Sequence, residues 1–302
     1  MRIGIMAGAT GGEGSIEGLI ARAKDVEARG FDSVWVANIF GLDAIGALAV
    51  VGHETSRVEL GTAVVPTFPR HPVAIAQQAL TTQAASGGRF TLGIGLSHKI
   101  VIEDMLGFSY DRPALHMREY LEVLTPLLRG EPAKFSGDQY RVNAGLQVAG
   151  AEPVPLLVAA LGDRMLQLAG RYTDGTILWM TGPATIESHI RPKLVAAAEQ
   201  AGRPAPRIVA GMPIAVTDDA DSAREAIGTS LAMYGTLPSY RAMLDKEGAA
   251  GPADIAIVGD EAAVGDQIGR LRDAGVTDFN AAIVPIDGET DARTLDFLQG
   301  QR

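Results

Sequence analysis

Short β-branched segments alternate with longer amphipathic segments along the whole chain. Apolar residues at every second position are typical of strands, and an apolar stripe at helical spacing is typical of helices, so this alternation indicates βαβ units. Eight βα units in roughly 250 to 300 residues predict an α/β protein with a (β/α)8 TIM barrel, and a doubly wound sheet is the alternative. The predicted strands are Arg2–Met6, Ser33–Ala37, Val58–Val65, Arg89–Ile94, Pro155–Ala159, Gly175–Trp179, Arg207–Val216 and Asp278–Val284.

The alternation continues without a shift in composition, so residues 1–302 are predicted to form a single domain. It is interrupted once, between the fourth and fifth strands, where Gly130–Pro153 contains a turn signal and a short alternating run. We therefore expect an insertion after strand 4 that includes a hairpin.

Charge and composition limit the function classes. The net charge of −10 argues against general binding to nucleic acids or anionic membranes, which requires a basic surface. The absence of cysteine excludes disulfides and thiolate nucleophiles, and no metal-ligand spacing appears, so no metal is predicted. The apolar run at the N-terminus is too short for a signal peptide or a membrane span. We expect a cytoplasmic protein with a small-molecule substrate.

Small residues follow several of the predicted strands, at the end of a barrel where active sites form. Gly61–Ala63 follow the third strand and would allow a close approach to the backbone. Ala160–Gly162 and Thr181–Gly182 each stand directly before a predicted helix. Free N–H groups at a helix start favour a phosphate, so these two strand ends are predicted to bind an anion.

Three motifs are informative together: Leu60–Val64 (LGTAV), Gly88–Gly95 (GRFTLGIG) and Leu168–Gly175 (LAGRYTDG). With Gly30–Val36, they resemble the luciferase-like monooxygenase superfamily, in the branch that uses the deazaflavin coenzyme F420. The resemblance implies a barrel with an excursion after strand 4 and a non-proline cis peptide at Ala63–Val64 behind the deazaflavin ring. It also implies a homodimer, because members of this family commonly dimerise.

The resemblance, taken with the strand ends, gives the cofactor-binding prediction. Coenzyme F420 is the expected cofactor and FMN is the alternative. The predicted cofactor-binding residues are Gly61, Thr62, Ala63, Val64, Gly95, Leu96, Ser97, Ala160, Leu161, Gly162, Trp179, Thr181 and Gly182.

Asn38 and His98 are the predicted catalytic residues. Both stand where relatives carry an acid, so the resemblance disfavours the sugar-phosphate dehydrogenase chemistry of this family. His98 is the predicted proton donor, because histidine titrates near neutral pH and this one follows a strand. Trp35, Phe40 and Trp179 are candidates for the pocket wall, and Trp179 is the best of them because it ends a strand. His116 and His189 are expected at the surface or behind the site.

Three other functions stay open. An FMN-dependent monooxygenase would use oxygen, and a cofactor-binding protein would show no turnover. A nicotinamide-dependent reductase would use the glycine-rich segment with Gly8, Gly11 and Gly14, which resembles the opening of short-chain dehydrogenases. Against it, the second strand ends at Asn38 and not at a ribose-binding acid, and no tyrosine is followed by a lysine four positions on.

Overall fold

The computed structural model describes residues 1–7, 14–284 and 286–301. The glycine-rich segment from residue 8 to residue 13, and with it most of the proposed nicotinamide motif, lies outside the described residues. The strands are β1 (Arg2–Ala7), β2 (Ser33–Val36), β3 (Glu59–Thr62), β4 (Val65–Pro66), β5 (Phe90–Gly95), β6 (Ala133–Ser136), β7 (Arg141–Ala144), β8 (Leu156–Val158), β9 (Gly175–Trp179), β10 (Arg207–Val216), β11 (Ile257–Gly259) and β12 (Asp278–Ile283).

Eight parallel strands close into a barrel in the order β1, β2, β3, β5, β8, β9, β10 and β12, and β12 pairs with β1 to complete the ring. The predicted TIM barrel is confirmed, and the doubly wound sheet is wrong because these eight strands form a closed ring. β4 extends the line of β3 and pairs with β5. In chain order, the strands β6 and β7 come between β5 and β8, and they form a separate antiparallel hairpin.

Helices cover the outside of the barrel and connect its strands. The structure has α1 (Ile16–Ala28), α2 (Ala44–Glu54), α3 (Pro72–Ala85), α4 (Pro113–Leu128), α5 (Asp163–Tyr172), α6 (Pro183–Thr185), α7 (Arg191–Gln200), α8 (Ala220–Ser230), α9 (Ala232–Thr236), α10 (Pro238–Glu247), α11 (Pro252–Ile255), α12 (Glu261–Asp273) and α13 (Gly288–Gly300).

Two elements predicted as continuous are broken. The predicted strand Val58–Val65 is interrupted after Thr62 by a cis peptide bond. The sequence pattern also predicts one helix from Pro183 to Ala201, but the structure has α6, a π-helical turn at Ile186–Ile190 and α7. Pro192 lacks the N–H that a continuous α-helix would need at that point, which accounts for the irregular turn just before it.

Charged residues close the N-terminal end of the barrel. Arg207 forms ion pairs with Asp278 at 2.6 Å and with Glu59 at 3.0 Å, and Arg2 pairs with Glu59 at 2.5 Å. These partners raise the pKa of Arg207 although burial opposes its charge. The next part of the interior is filled by Trp35, Leu157, Ile177 and Val209. Access to the barrel is therefore from its C-terminal end.

Candidate functional site

A bulge after β3 forms one wall of the C-terminal end of the barrel. The cis peptide bond that the resemblance implies is present between Ala63 and Val64. The Ala63 N–H donates to Val36 O at 2.8 Å, and the Asn38 N–H donates to Val64 O at 3.4 Å. The bulge is thus held from β2 on one side, while the half-buried side chains of Ala63 and Val64 pack against the interior cluster.

Close packing by neighbouring side chains explains why positions 61 and 95, near two strand ends, are glycine. A Cβ atom at Gly61 would lie 2.2 Å from Cζ3 of Trp35, and one at Gly95 would lie 2.7 Å from Cγ2 of Val64. The groups that approach these glycines are therefore side chains of the protein itself. Trp35 is fully buried, so it supports the bulge from below and is not a pocket wall.

Asn38 has a structural partner on its side chain. Its Oδ1 accepts from the Ala44 N–H at 3.0 Å and from Arg70 at 3.4 Å, and Arg70 also pairs with Asp43 at 2.8 Å. Asn38 thereby fixes the loop between β2 and α2. Since an amide does not titrate, this placement favours positioning over proton transfer. Phe40 in the same loop is largely exposed.

Four aromatic rings bring two of the predicted site residues together. The His98 ring lies 5.7 Å from Tyr240 and 6.4 Å from Tyr234, and the Tyr234 ring lies 6.3 Å from Trp179, measured between ring centroids. The loop after β5, the end of β9 and the helices α9 and α10 therefore meet at one place. We call His98, Trp179, Tyr234 and Tyr240 the aromatic cluster.

The titratable groups of the aromatic cluster are neutral near pH 7. Burial lowers the pKa of His98 below its usual value, which favours the uncharged imidazole. Burial also raises the pKa values of Tyr234 and Tyr240, so both keep their phenol protons. The cluster can offer N–H and O–H donors, but His98 is a weaker candidate for a cationic acid than its sequence position predicts.

Two strand ends have unusual backbone conformations. Ser97, two residues after β5, has φ of 60°, and Met180, directly after β9, has φ of 49°. Residues other than glycine rarely adopt positive φ, and such positions concentrate at functional sites. The Ser97 carbonyl also accepts from the Tyr110 hydroxyl at 3.2 Å, which ties the insertion to the predicted cofactor-binding segment Gly95–Ser97.

The helix start after β8 is open. Ala160 is buried, Leu161 is half-buried and Gly162 is exposed; no side chain caps α5, and no atom lies within 4 Å of the position of a Cβ at Gly162. The N–H groups of the first turn of α5 are therefore accessible to an anion.

Basic groups surround this open helix start. His189 Nε2 donates to Leu161 O at 2.8 Å, and Lys193 lies 3.1 Å from His189 Nδ1 and 2.5 Å from Asp163. The two contacts of the imidazole fix its proton on Nε2. His189 is buried behind the Leu161 loop, so the part of the prediction that allowed a surface position is wrong.

The helix start after β9 is closed. The Glu247 carboxylate accepts from the N–H groups of Ala184 at 3.1 Å and Thr185 at 2.7 Å. A Cβ at Gly182 would lie 2.2 Å from Cδ of Glu247, and the buried Thr181 hydroxyl faces Trp179 O at 3.4 Å. An acid of the protein already stands where Thr181 and Gly182 are predicted to receive a phosphate.

His116 is almost fully buried, so the surface alternative that the sequence allowed for it is also wrong. Its Nε2 lies 2.9 Å from the Thr67 hydroxyl and its Nδ1 lies 3.2 Å from Gln139 Oε1, while its ring stacks on Phe68 at 3.9 Å. Burial lowers its pKa to about 4. His116 therefore acts as a neutral packing residue that links the hairpin to the barrel.

Comparison with known proteins identifies the family. The model of the luciferase-like monooxygenase family matches residues 1–278. The chain belongs to the luciferase-like monooxygenase family.

Two relatives and one solved structure illustrate the range of the match. The chain is 27% identical over 270 residues to a 5,10-methylenetetrahydromethanopterin reductase of Methanolobus tindarius, covering 89% of this chain and 82% of that protein. It is 31% identical over 239 residues to a Mycobacterium tuberculosis protein provisionally named a coenzyme F420-dependent oxidoreductase. That match covers 72% of this chain and 66% of the other protein. The fold matches a coenzyme F420-dependent tetrahydromethanopterin reductase of Methanopyrus kandleri with a TM-score of 0.80 and 23% identity, over 99% of this chain and 97% of that one.

This luciferase-like enzyme contains one site residue, Glu247, that the sequence does not single out. Glu247 contacts the helix start after β9 from a distant part of the chain, and only the packing of the fold reveals it. Among the residues that the structure describes, no group of three or more His, Asp or Glu is arranged to hold a metal ion. Within the same residues, no helix is both long and apolar enough to cross a bilayer.

Proposed function

We propose that this luciferase-like protein is a coenzyme F420-dependent oxidoreductase that transfers a hydride between the deazaflavin and a small organic substrate. The observation that carries the proposal is the open start of α5 at Gly162, at the same end of the barrel as the Ala63–Val64 bulge and the aromatic cluster. A phosphate-bearing tail and a planar ring would both find complementary surfaces there. The names of the relatives support the choice of F420.

The residues divide into a tail site and a ring site. The N–H groups that follow Ala160, Leu161 and Gly162 bind the phosphate of the tail, with Lys193 close by. Ala63 and Val64 support one face of the ring, and Trp35 supports them from below. When bound, the deazaflavin supplies two-electron hydride chemistry, and the protein supplies orientation and a site that excludes water.

The substrate site is proposed beside the aromatic cluster. His98 and Tyr234 each hold a proton near neutral pH, so either can donate a hydrogen bond to a substrate oxygen. Exposed large apolar side chains include Phe40 and Phe108 on loops and Met233 on α9. A mouth of this composition favours an apolar organic substrate with one polar group.

A binding titration tests the proposal. F420, FMN and NADPH are added separately to the purified protein, and cofactor or protein fluorescence is followed. We expect F420 to bind at least tenfold more tightly than FMN and NADPH, in line with the names of the relatives that support F420 as the cofactor. Preference for FMN would replace the proposal with the oxygen-using alternative, and oxygen uptake would then be measured.

Turnover separates an enzyme from a cofactor carrier. Reduced and oxidised F420 are each incubated with a panel of ketones, alcohols and enones at catalytic protein concentration. Substrate-dependent change of the F420 absorbance supports an oxidoreductase. Tight F420 binding without turnover on any member would favour the cofactor-binding protein.

A further inference from the structure

Asn280 occupies the interior of the barrel on β12. It pairs in register with Gly4 of β1 and with Gly211 of β10, so neither neighbouring position carries a side chain. Asn280 is two residues beyond Asp278, whose carboxylate belongs to the charged network that closes the N-terminal end. Because side chains two apart on a strand share a face, the Asn280 side chain lies on the interior face, one step nearer to the mouth.

The amide of Asn280 is buried and unpaired. Its Nδ2 and Oδ1 atoms both lack a hydrogen-bond partner among the described residues, and so does Nε1 of Trp179. By contrast, Nε1 of Trp35 donates to the Ser33 hydroxyl at 2.8 Å. Buried polar groups are usually paired, so a concentration of unpaired ones indicates a site for a ligand.

Only small residues separate Asn280 from Trp179 along the row of paired strands. Trp179 on β9 and Asn280 on β12 stand on either side of β10, where Gly211 has no side chain. A Cβ at Gly211 would lie 3.0 Å from Cε3 of Trp179 and 3.4 Å from Cε of Met6, so this glycine is what lets the indole lie against β10. The next interior position on β12 is Ala282, which is also small.

The unpaired atoms have a specific chemical complement. Asn280 Nδ2 and Trp179 Nε1 are donors, and Asn280 Oδ1 is an acceptor. A cyclic imide edge presents the opposite set, with one N–H between two carbonyl groups. The pyrimidinedione edge of a deazaflavin carries this group, and so does that of FMN, so the match does not depend on which of the two cofactors binds.

We infer that Asn280, together with Trp179, binds the imide edge of a ring that enters the barrel. The Asn280 Oδ1 accepts from the imide N–H, and the Asn280 Nδ2 and Trp179 Nε1 groups donate to the two carbonyl oxygens. If the ring is that of the cofactor, the inference rests on the proposed function. A substrate with a cyclic imide or lactam edge is the other source of the same chemistry.

The test compares F420 with its N3-methyl derivative, in which the imide proton is absent, by fluorescence titration of the apoprotein. We expect wild-type protein to bind the methylated ring about tenfold more weakly, because a buried partner is left unpaired. N280L should bind F420 about tenfold more weakly than wild type and should not distinguish the two rings. The wild-type comparison needs no variant and stands even if N280L fails to fold.

T125V is the matched control, since Thr125 Oγ1 is also buried and unpaired but lies on the outer helix α4. It should bind both rings as wild type does. If wild-type protein binds no F420, the proposed function fails, and FMN with 3-methyl-FMN then tests the inference by itself.

The substrate arm uses F420-saturated protein with succinimide and N-methylsuccinimide, followed by saturation-transfer NMR. Selective binding of succinimide to wild type but not to N280L assigns the imide site to the substrate. If neither F420, FMN nor succinimide is distinguished from its methylated form, the inference is overturned and buried solvent is the partner of Asn280.

Discussion

The two helix starts after β8 and β9 look alike in sequence and differ in structure. Each has a glycine directly before a helix, and both are predicted to bind an anion at the helix start. At α5, Gly162 is exposed and no side chain caps the helix. At α6, Gly182 is buried, and the Glu247 carboxylate accepts hydrogen bonds from N–H groups of the first turn.

The difference shows that a local signal identifies a helix start without showing whether it is free. Glu247 lies at the end of α10, far along the chain from Gly182. Its carboxylate satisfies the amides and adds a negative charge, both of which oppose phosphate binding. Near α5, the carboxylate of Asp163 is instead paired with Lys193.

The largest expected effect comes from making α5 resemble α6. Gly162→Asp places a carboxylate at the N-cap, where it accepts from the first N–H groups and repels a phosphate. We expect F420 affinity to fall about 100-fold, since like charges in contact cost several kcal/mol. Gly162→Asn provides the neutral cap as a control. Equal affinity of wild type and Gly162→Asp would show that α5 is not the phosphate site.

Substitution of alanine for Gly162 and for Gly182 should change the free energy of unfolding by different amounts. Gly182→Ala forces the new Cβ against Glu247 and should lower the free energy of unfolding by about 1–3 kcal/mol. Gly162→Ala meets open space and should cost less than about 1 kcal/mol, the effect of a poorer N-cap residue. Urea denaturation of the pair measures both values. Equal decreases in the free energy of unfolding would mean that the Glu247 side chain moves aside without loss of stability.

Removal of the Glu247 carboxylate tests whether α6 is truly closed. Glu247→Ala leaves two N–H groups without their partner and should lower the free energy of unfolding by about 1–2 kcal/mol, while Glu247→Gln keeps an acceptor and should cost less. F420 affinity should stay within about twofold in both. A tenfold gain in affinity on loss of the charge would instead identify α6 as an anion site that Glu247 blocks.

The smallest effect is expected from Lys193→Met. This partly exposed lysine contributes positive charge near α5, so its loss should weaken F420 binding about threefold at low salt and have little effect at high salt. Lys24→Met is the matched control, because Lys24 also pairs with a carboxylate but on α1. The titrations are compared at two ionic strengths, and a loss that persists in high salt would contradict an electrostatic role.

The fold was predictable because each βα unit carries its own periodicity. The sequence pattern predicts all eight barrel strands. β11 and α11 were missed, since three or four residues are too few to show a period.

The site was less predictable because its decisive contacts are long-range. The sequence pointed to His98 and Trp179, but only the structure shows that Tyr234 joins them. Asn280 stands in an apolar strand where sequence gives no reason to distinguish it from a packing residue. The roles of the predicted cofactor-binding residues stay predictions, and those roles are what the titrations test.

The charged network at the N-terminal end also constrains the kinetic order of the reaction. Arg207, Glu59 and Asp278 fill that end, so a ring and a substrate must both enter and leave through one opening. In the proposed arrangement, the ring binds against Val64 and the substrate binds beside Tyr234, between the ring and the opening, so the ring cannot pass an occupied substrate position. Initial-rate measurements should therefore show a compulsory sequence, with the cofactor binding first and departing last. Excess substrate should then slow cofactor release and inhibit turnover.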